Sequence, residues 1–203
     1  MNAPDKSRPA ATQASIEHWI GGKLAPGQSG RRGEVFVMVG DGSYLMMAQE
    51  LVTAVSEHVK LTVVLVQNHG FASIGALSES LGSQRFGTRY RFRDPDTGAL
   101  DGDKLPVDLA ANAASLGADV RSVSGIEDFE AALREAAASE RTTVVVVETD
   151  PLAPAPSSEA WWDVPVAEVA GIESTRAARA TYDESKRTQR PYLSPSERVE
   201  TPR

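Results

Sequence analysis

Residues 35–43 read VFVMVGDGS, an apolar run that leads directly into two glycines flanking Asp41. The first five residues are typical of a buried strand, and apolar residues then recur at helical spacing over residues 44–58. The end of a strand, a tight turn and the start of a helix therefore coincide at residues 40–43. Glycines at such a point let the backbone approach a ligand, and the N–H groups of a helix start favour a phosphate. The stretch predicts a strand–turn–helix unit that binds phosphate.

A second apolar run occupies residues 61–67 and ends at Asn68-His69-Gly70. Open parallel sheets bind ligands at the carboxyl ends of their strands, so we expect the Asn68 side chain to emerge beside Asp41. Carboxylate and amide oxygens are hard ligands, and Mg²⁺ combines one or two of them with phosphate oxygens and water. The two strand ends together predict a diphosphate and magnesium site. The simpler alternative is an ordinary strand–turn–helix whose glycines serve only the backbone conformation.

The motif GDGS at residues 40–43, followed after 24 intervening positions by NHG, resembles the cofactor motif of the thiamine diphosphate enzymes. This resemblance implies thiamine diphosphate and Mg²⁺ as cofactors. The metal ligands that it implies are Asp41, Asn68 and the backbone carbonyl of Gly70. The residues that it implies at the diphosphate are Gly40, Gly42, Ser43 and Phe71. His69 stands where relatives often have a second asparagine.

Two longer stretches resemble the C-terminal third of the trihydroxycyclohexanedione hydrolases of inositol catabolism. They are FGTRYRFRDPDTGALDGDKLPVDLAANAASLGADV at residues 86–120 and AWWDVPVAEVAGIESTRAARATYDESKRTQRPYL at residues 160–193. The resemblance runs over about residues 34–193. It implies an α/β fold with a parallel sheet and crossover helices, the diphosphate-binding domain of the thiamine diphosphate-binding fold, truncated at its N-terminal side. It also implies the reaction, the hydrolytic opening of a cyclohexane-1,2-dione ring by C–C cleavage.

The same resemblance implies that no residue of this chain is catalytic. The glutamate that promotes proton transfer at the cofactor in this family belongs to a separate N-terminal domain. Glu50, on the predicted first helix, is therefore interpreted as a structural carboxylate. The expected partners are the cyclic diketone substrate in the full enzyme and either further copies of the chain or a pyrimidine-binding domain. No nucleic acid and no membrane are expected.

Residues 1–33 differ from the rest of the chain. They begin with a polar stretch containing Ala and Pro, and residues 16–36, IEHWIGGKLAPGQSGRRGEVF, resemble the N-terminal hairpin of methylmalonate-semialdehyde dehydrogenases. We interpret residues 1–33 as a partly disordered leader, foreign to the rest and joined near residues 34–36. A divergent leader is the alternative. The predicted organisation is then a leader (1–33), a cofactor-binding domain (34–150) and a linker with a helical tail (151–203).

The composition narrows the class of protein. The 203 residues suit one domain with extensions, and the net charge of −7 gives no general attraction for nucleic acid or anionic membranes. The chain has no cysteine, so disulfides, thiolate catalysis and sulfur-ligated zinc are all excluded. Its apolar runs are strand-sized and no signal peptide is recognised, which predicts a cytoplasmic location.

Strands and helices alternate from residue 34 onward, as in a parallel sheet with crossover helices. The predicted strands are residues 35–41, 61–68, 119–123 and 142–147. The predicted helices are residues 44–58, 73–81, 107–117, 126–139 and 173–186. Residues 82–106 are predicted to form a long loop, and such loops are often functional. The apolar pair Trp161-Trp162 is expected to dock the tail.

Arginines and aromatic residues alternate over residues 85–93, a pattern also found on surfaces that bind single-stranded nucleic acid. The acidic balance of the chain and four aspartates within residues 94–103 argue against that interpretation. A lid or subunit contact over a polyhydroxylated substrate and a plain solvated loop remain as alternatives.

Three other functions compete with a cofactor-binding part of the ring-opening hydrolase. In the first the chain is a non-catalytic subunit that needs a separate pyrimidine-binding partner. In the second it is an inactive junction product, and in the third it is a generic nucleotide-binding domain. The last is opposed by the lack of a GxGxxG motif or a Walker lysine.

Overall fold

The computed structural model describes residues 35–153 and 163–189. They fall into two compact units, residues 35–72 with 87–153 and residues 73–86 with 163–189. The first unit contains four strands, which are β1 (Phe36–Gly40), β2 (Thr62–Gln67), β3 (Asp119–Val123) and β4 (Thr143–Glu148). They form one sheet in the order β1-β2-β4-β3, and every neighbouring pair is parallel. The predicted α/β fold with a parallel sheet is therefore confirmed.

Six helices lie in the described ranges. They are α1 (Asp41–Met47), α2 (Glu50–Ser56), α3 (Ala72–Ser80), α4 (Leu109–Ser115), α5 (Ile126–Ala138) and α6 (Glu173–Thr188). The predicted helices α3 to α6 are confirmed, with ends that differ by a few residues. The predicted single helix over residues 44–58 is wrong in two respects, because the helical segment begins at Asp41 and divides into α1 and α2.

The division between α1 and α2 is a local tightening of the chain. Ala48 and Gln49 keep right-handed helical angles, with φ of −58° and −61°. The hydrogen bonds there span three residues, since Leu51 N donates to Ala48 O at 3.1 Å and Val52 N to Gln49 O at 2.9 Å. These three-residue hydrogen bonds interrupt the α-helical bonding pattern, but the chain keeps a helical conformation.

Alternate strand residues form the core on one face of the sheet, as the two-residue strand period requires. The buried strand residues there are Val37, Val39, Val63, Leu65, Val144 and Val146. Tyr44, Leu51 and Leu109 from the helices cover them and are themselves fully buried. On the opposite face of edge strand β1, Phe36 and Met38 remain 48% and 74% exposed.

The second unit is held around the turn that follows α3. The hydroxyls of Ser174 and Thr175 donate to the carbonyl of Gly82 at 2.6 and 2.8 Å. Gly82 has a φ of +80°, and a Cβ there would lie 2.3 Å from Ser174 O. Glycine is therefore required at this position. Trp161-Trp162 lies outside the described residues. Neither unit has a helix in its described part that is long and apolar enough to span a membrane.

Stability is expected to fall at alkaline pH because of Tyr44. Its hydroxyl donates to Asn112 Oδ1 at 2.8 Å, and burial raises its pKa to about 12 from 10.0. The unfolded chain loses this proton above about pH 10, so the contribution is complete below that pH and is lost towards pH 12. Urea unfolding at pH 9 and pH 11.5 measures the fall. Tyr44→Phe should show a smaller one, and an equal fall in both proteins would contradict the assignment.

Candidate functional site

Asp41 is fully buried at the junction between β1 and α1. Its Oδ1 accepts the N–H of Gly42 at 2.8 Å. Its Oδ2 accepts two further backbone N–H groups, from Asn68 at 3.0 Å and from Gly70 at 3.1 Å. The strand ends of β1 and β2 therefore meet at one carboxylate. The structure brings Asp41, Asn68 and Gly70 together, while their role as metal ligands remains a prediction.

The loop after β2 is pinned from the other side by residues 88–90. Phe71 N donates to Thr88 O at 2.8 Å, and Tyr90 N donates to His69 O at 2.9 Å. Gly70 has a φ of +153°, and a Cβ there would lie only 2.2 Å from Thr88 O. A side chain at position 70 would thus push the two segments apart. The close approach and the positive φ both favour glycine at this position.

Two buried polar atoms beside Asp41 lack a partner. Asn68 Oδ1 and the Tyr90 hydroxyl are shielded from solvent and make no hydrogen bond within the described residues. Burial and the negative charge of Asp41 raise the pKa of Tyr90 to about 12. Buried polar atoms are normally paired, so unpaired ones call for a bound ion, ligand or water. The pair therefore fits a site that a ligand completes.

Tyr90 belongs to the site although the sequence pattern does not indicate it. In the sequence it is one of several aromatic residues that alternate with arginines in a long loop. Only the long-range bonds between residues 88–90 and 69–71 place it against the cofactor motif. Its ring also meets the ring of Phe71 edge to face, with centroids 6.4 Å apart.

The residues predicted to lie at the diphosphate differ in the space around them and in whether their N–H groups are already used. A Cβ on Gly40 would meet no atom within 4 Å, so there is room beside it. A Cβ on Gly42 would lie 2.4 Å from the Phe71 ring, so that ring closes over the glycine. The N–H groups of Gly42 and Phe71 are already used by Asp41 and Thr88. Ser43 is half-buried in the first turn of α1.

His69 carries the one departure from the motif. Its φ of +61° is uncommon for a non-glycine residue, although histidine and asparagine are both enriched among the residues that adopt it. Its ring faces the end of β4, where Nε2 lies 2.7 Å from Glu148 Oε1, and Nδ1 lies 3.3 Å from Gln67 Nε2. Lys104 reaches the same Glu148 oxygen at 3.4 Å. The hydrogen bonds from His69 first and Lys104 second lower the pKa of Glu148.

The donor set suits a magnesium ion that is shared with phosphate. Within the described residues no three His, Cys, Asp or Glu side chains form a cluster that could hold a metal ion by itself. The oxygen donors of the site are the Asp41 carboxylate, the Asn68 amide oxygen and the Gly70 backbone carbonyl. Magnesium in phosphate-binding enzymes takes few protein ligands and fills the rest of its octahedron with phosphate oxygens and water. Glu50 accepts a hydrogen bond from Thr53 Oγ1 at 3.1 Å, as a structural carboxylate does.

Curated relatives are similar over most of the chain. The 3D-(3,5/4)-trihydroxycyclohexane-1,2-dione hydrolase 2 of a Bacillus cereus strain is 38% identical over 159 residues, which are 78% of this chain and 24% of that protein. Hydrolase 1 of the same strain is 39% identical over 145 residues, 71% of this chain and 22% of that protein. The chain thus spans about a quarter of the length of these relatives.

Solved structures with a similar arrangement were also found. Benzoylformate decarboxylase from Polynucleobacter necessarius superposes with a TM-score of 0.48 and 25% identity, over 61% of this chain and 21% of that chain. A thiamine diphosphate-dependent 4-hydroxybenzoylformate decarboxylase of Rhodococcus jostii RHA1 superposes with a TM-score of 0.44 and 21% identity, over 60% of this chain and 21% of that chain.

A family profile matches more than half of the chain. It is described as "Thiamine pyrophosphate enzyme, C-terminal TPP binding domain", and it covers residues 9–147. The match includes β1 to β3, β4 except for Glu148, both strand-end loops and the segment of residues 88–90. It also starts inside the predicted leader, whose boundary stays a prediction. Thiamine pyrophosphate is thus the cofactor of the family, and the chain belongs to the C-terminal thiamine pyrophosphate-binding domains of the thiamine pyrophosphate enzymes.

Proposed function

We propose that this chain is the diphosphate- and Mg²⁺-binding part of a cytoplasmic thiamine diphosphate-dependent hydrolase. The proposed enzyme opens a trihydroxycyclohexane-1,2-dione ring by C–C cleavage in myo-inositol degradation. The reaction is supported by 38% identity to relatives of that name over 78% of the chain. The cofactor site is supported by one observation above all. Asn68 Oδ1 is buried without a partner among the described residues, on a residue whose N–H binds the Asp41 carboxylate.

Each residue of the site has a proposed role. Asp41, Asn68 and the Gly70 carbonyl hold the metal, and Gly40, Gly42, Ser43 and Phe71 border the diphosphate. The Tyr90 hydroxyl is directed towards the diphosphate. When bound, thiamine diphosphate supplies the electron sink that C–C cleavage requires, while the protein supplies binding, orientation and electrostatics. No catalytic residue is assigned to this chain.

A second candidate is a non-catalytic subunit or inactive fusion fragment that needs a separate pyrimidine-binding partner. The exposed apolar side chains of Phe36 and Met38 favour a partner surface on β1. Under either proposal the isolated chain binds cofactor without turning over substrate. Activity that appears only on mixing with a pyrimidine-binding subunit supports the second candidate. No activity on such mixing counts against the second candidate, and activity of the chain on its own would contradict both.

Asn68→Ala tests the cofactor site by thermal unfolding with thiamine diphosphate, with and without Mg²⁺. A ligand present at 100 times its Kd adds about 2.7 kcal/mol to the stability of the native state. We expect the wild-type chain to show a Mg²⁺-dependent rise in Tm. We expect Asn68→Ala to lose that rise but to keep nearly the same Tm without ligand, because the removed oxygen has no partner in the described part of the chain.

Asn112→Ala is the matched control. Asn112 accepts the Tyr44 hydroxyl at 2.8 Å, so its loss should lower Tm without ligand by removing a part-buried hydrogen bond. The Mg²⁺-dependent rise should persist in this variant. If Asn68→Ala keeps the full rise, Asn68 is not a metal ligand and the proposed site is wrong.

A further inference from the structure

A cationic pocket adjoins the cofactor site at the carboxyl end of β2 and β4. Its volume is about 190 Å³. Three basic side chains line it, from Arg89, Arg91 and Lys104, next to Asn68, His69 and Glu148. The metal and diphosphate residues assigned above do not include these basic side chains. The pocket therefore offers a second group of ligand-binding side chains on the same edge of the sheet.

The backbone holds the three basic residues together. Arg89 pairs with Gly70, and Arg91 pairs with Lys104, each through an isolated antiparallel bridge. Leu105 N also donates to Tyr90 O at 2.9 Å. Because successive side chains of an extended segment alternate in direction, Arg89 and Arg91 lie on one side and Tyr90 on the other. Tyr90 thus faces Asp41 while its two neighbours face the pocket.

The charges in the pocket are unbalanced. Glu148 is the only acidic residue among its described lining residues and is shared by His69 and Lys104, at 2.7 and 3.4 Å. Arg91 uses one nitrogen on Gly102 O at 2.9 Å. Arg89 is half-buried, and its guanidinium makes no hydrogen bond or ion pair with any residue of 35–153 or 163–189. An arginine fork without a partner is suited to a planar, bidentate anion such as a carboxylate.

The proposed reaction creates a group of that kind. Hydrolysis breaks the bond between the two carbonyl carbons of the cyclic dione. One of these carbons gains the hydroxyl of water and becomes a carboxylic acid, and the other gains the hydrogen and becomes an aldehyde. No oxidant or reductant is required, and the acid loses its proton at neutral pH. The neutral ring is thus converted into an open chain of hydroxylated carbons with one negative charge.

We propose that Arg89, Arg91 and Lys104 bind the carboxylate of this ring-opened polyhydroxy acid, next to the metal site. The inference rests on the proposed function, since only that reaction yields such an acid here. The pocket then recognises the product, whereas the dione offers it no charge. A carboxylate bound in the pocket lies next to Asn68, a proposed metal ligand, and is held by side chains that are not proposed metal ligands.

Binding of D-glucuronate, a polyhydroxy acid, tests the inference by calorimetry on the full chain, with D-glucose as the neutral counterpart. We expect glucuronate to bind and glucose not to bind. Arg89→Gln should weaken glucuronate binding by about tenfold or more, because a charged hydrogen-bonding group is lost. Arg93→Gln is the matched control. Arg93 lies in the same loop, bonds to Gly98 O and does not line the pocket, so affinity should be unchanged.

Two further measurements distinguish binding of a sugar carboxylate from binding of the cofactor or of phosphate in the same pocket. Saturating thiamine diphosphate with Mg²⁺ should leave glucuronate affinity unchanged, and inorganic phosphate should bind more weakly than glucuronate. Displacement of glucuronate by the cofactor, equal binding of phosphate, or no effect of Arg89→Gln would each overturn the inference. A normal Mg²⁺-dependent Tm rise without glucuronate binding overturns this inference alone. The absence of that rise counts against the proposed function instead.

Discussion

Replacing Asp41 with alanine is expected to lower the free energy of unfolding by roughly 3 kcal/mol or more. The buried carboxylate accepts the N–H groups of Gly42, Asn68 and Gly70, and all three donors would lose their partner, two of them in buried positions. The same change removes the only carboxylate among the proposed metal ligands. Urea unfolding measures the first effect, and the loss of the Mg²⁺-dependent rise in Tm with thiamine diphosphate measures the second.

Asp108→Ala serves as the control for Asp41→Ala. Asp108 is also an acceptor for a backbone N–H, that of Ala111 at 2.8 Å, but it is an exposed helix cap. Its loss should cost about 1 kcal/mol and leave the cofactor response intact. If Asp41→Ala costs no more than this control, Asp41 does not organise the site as described.

The second large effect is expected from Gly70→Ala. The new Cβ would lie 2.2 Å from Thr88 O and 2.9 Å from Arg89 Cα, and both are backbone atoms that cannot move alone. The loop after β2 must therefore separate from residues 88–90, with a loss of roughly 3 kcal/mol or more. The hydrogen bond from Gly70 N to Asp41 should weaken, and the Mg²⁺-dependent rise in Tm with thiamine diphosphate should become smaller. Urea unfolding and the Mg²⁺-dependent Tm rise report both.

Gly98→Ala separates crowding from the general cost of replacing a glycine. Gly98 has a φ of +69°, and a Cβ there would meet no atom within 4 Å. Only the backbone conformation is penalised, so we expect a loss of about 1 kcal/mol. Equal losses for Gly70→Ala and Gly98→Ala would show that the contact with Thr88 is not important for stability.

The strands and the two strand-end loops were predictable because their signals are local. Residues 62–67 and 143–148 are runs of mainly β-branched residues, and the glycines of GDGS mark the point where β1 ends. The start of α1 at Asp41 was not predicted. The glycines suggest a turn, whereas Gly40 ends β1 and Gly42 lies in the first turn of α1, where the Asp41 carboxylate binds the loop after β2.

The parts that sequence reasoning missed depend on contacts distant in the chain. Residues 82–106 were predicted as a long loop, and they contain no helix or named strand. Nothing in their pattern shows that residues 88–90 bind residues 69–71, since those bonds depend on where the sheet places β2. The same holds for His69, whose unusual φ and contact with Glu148 involve the end of β4.

Under the proposed function, Asp41, Asn68 and Gly70 hold one divalent cation against a diphosphate. Anomalous scattering from Mn²⁺ in crystals of the chain grown with thiamine diphosphate tests it most directly. We predict a single Mn²⁺ peak at roughly 2.0–2.2 Å from an Asp41 carboxylate oxygen, Asn68 Oδ1 and the Gly70 carbonyl oxygen. A cofactor bound with its Mn²⁺ away from these three oxygens, or bound with no metal at all, would show that these residues do not form the metal site.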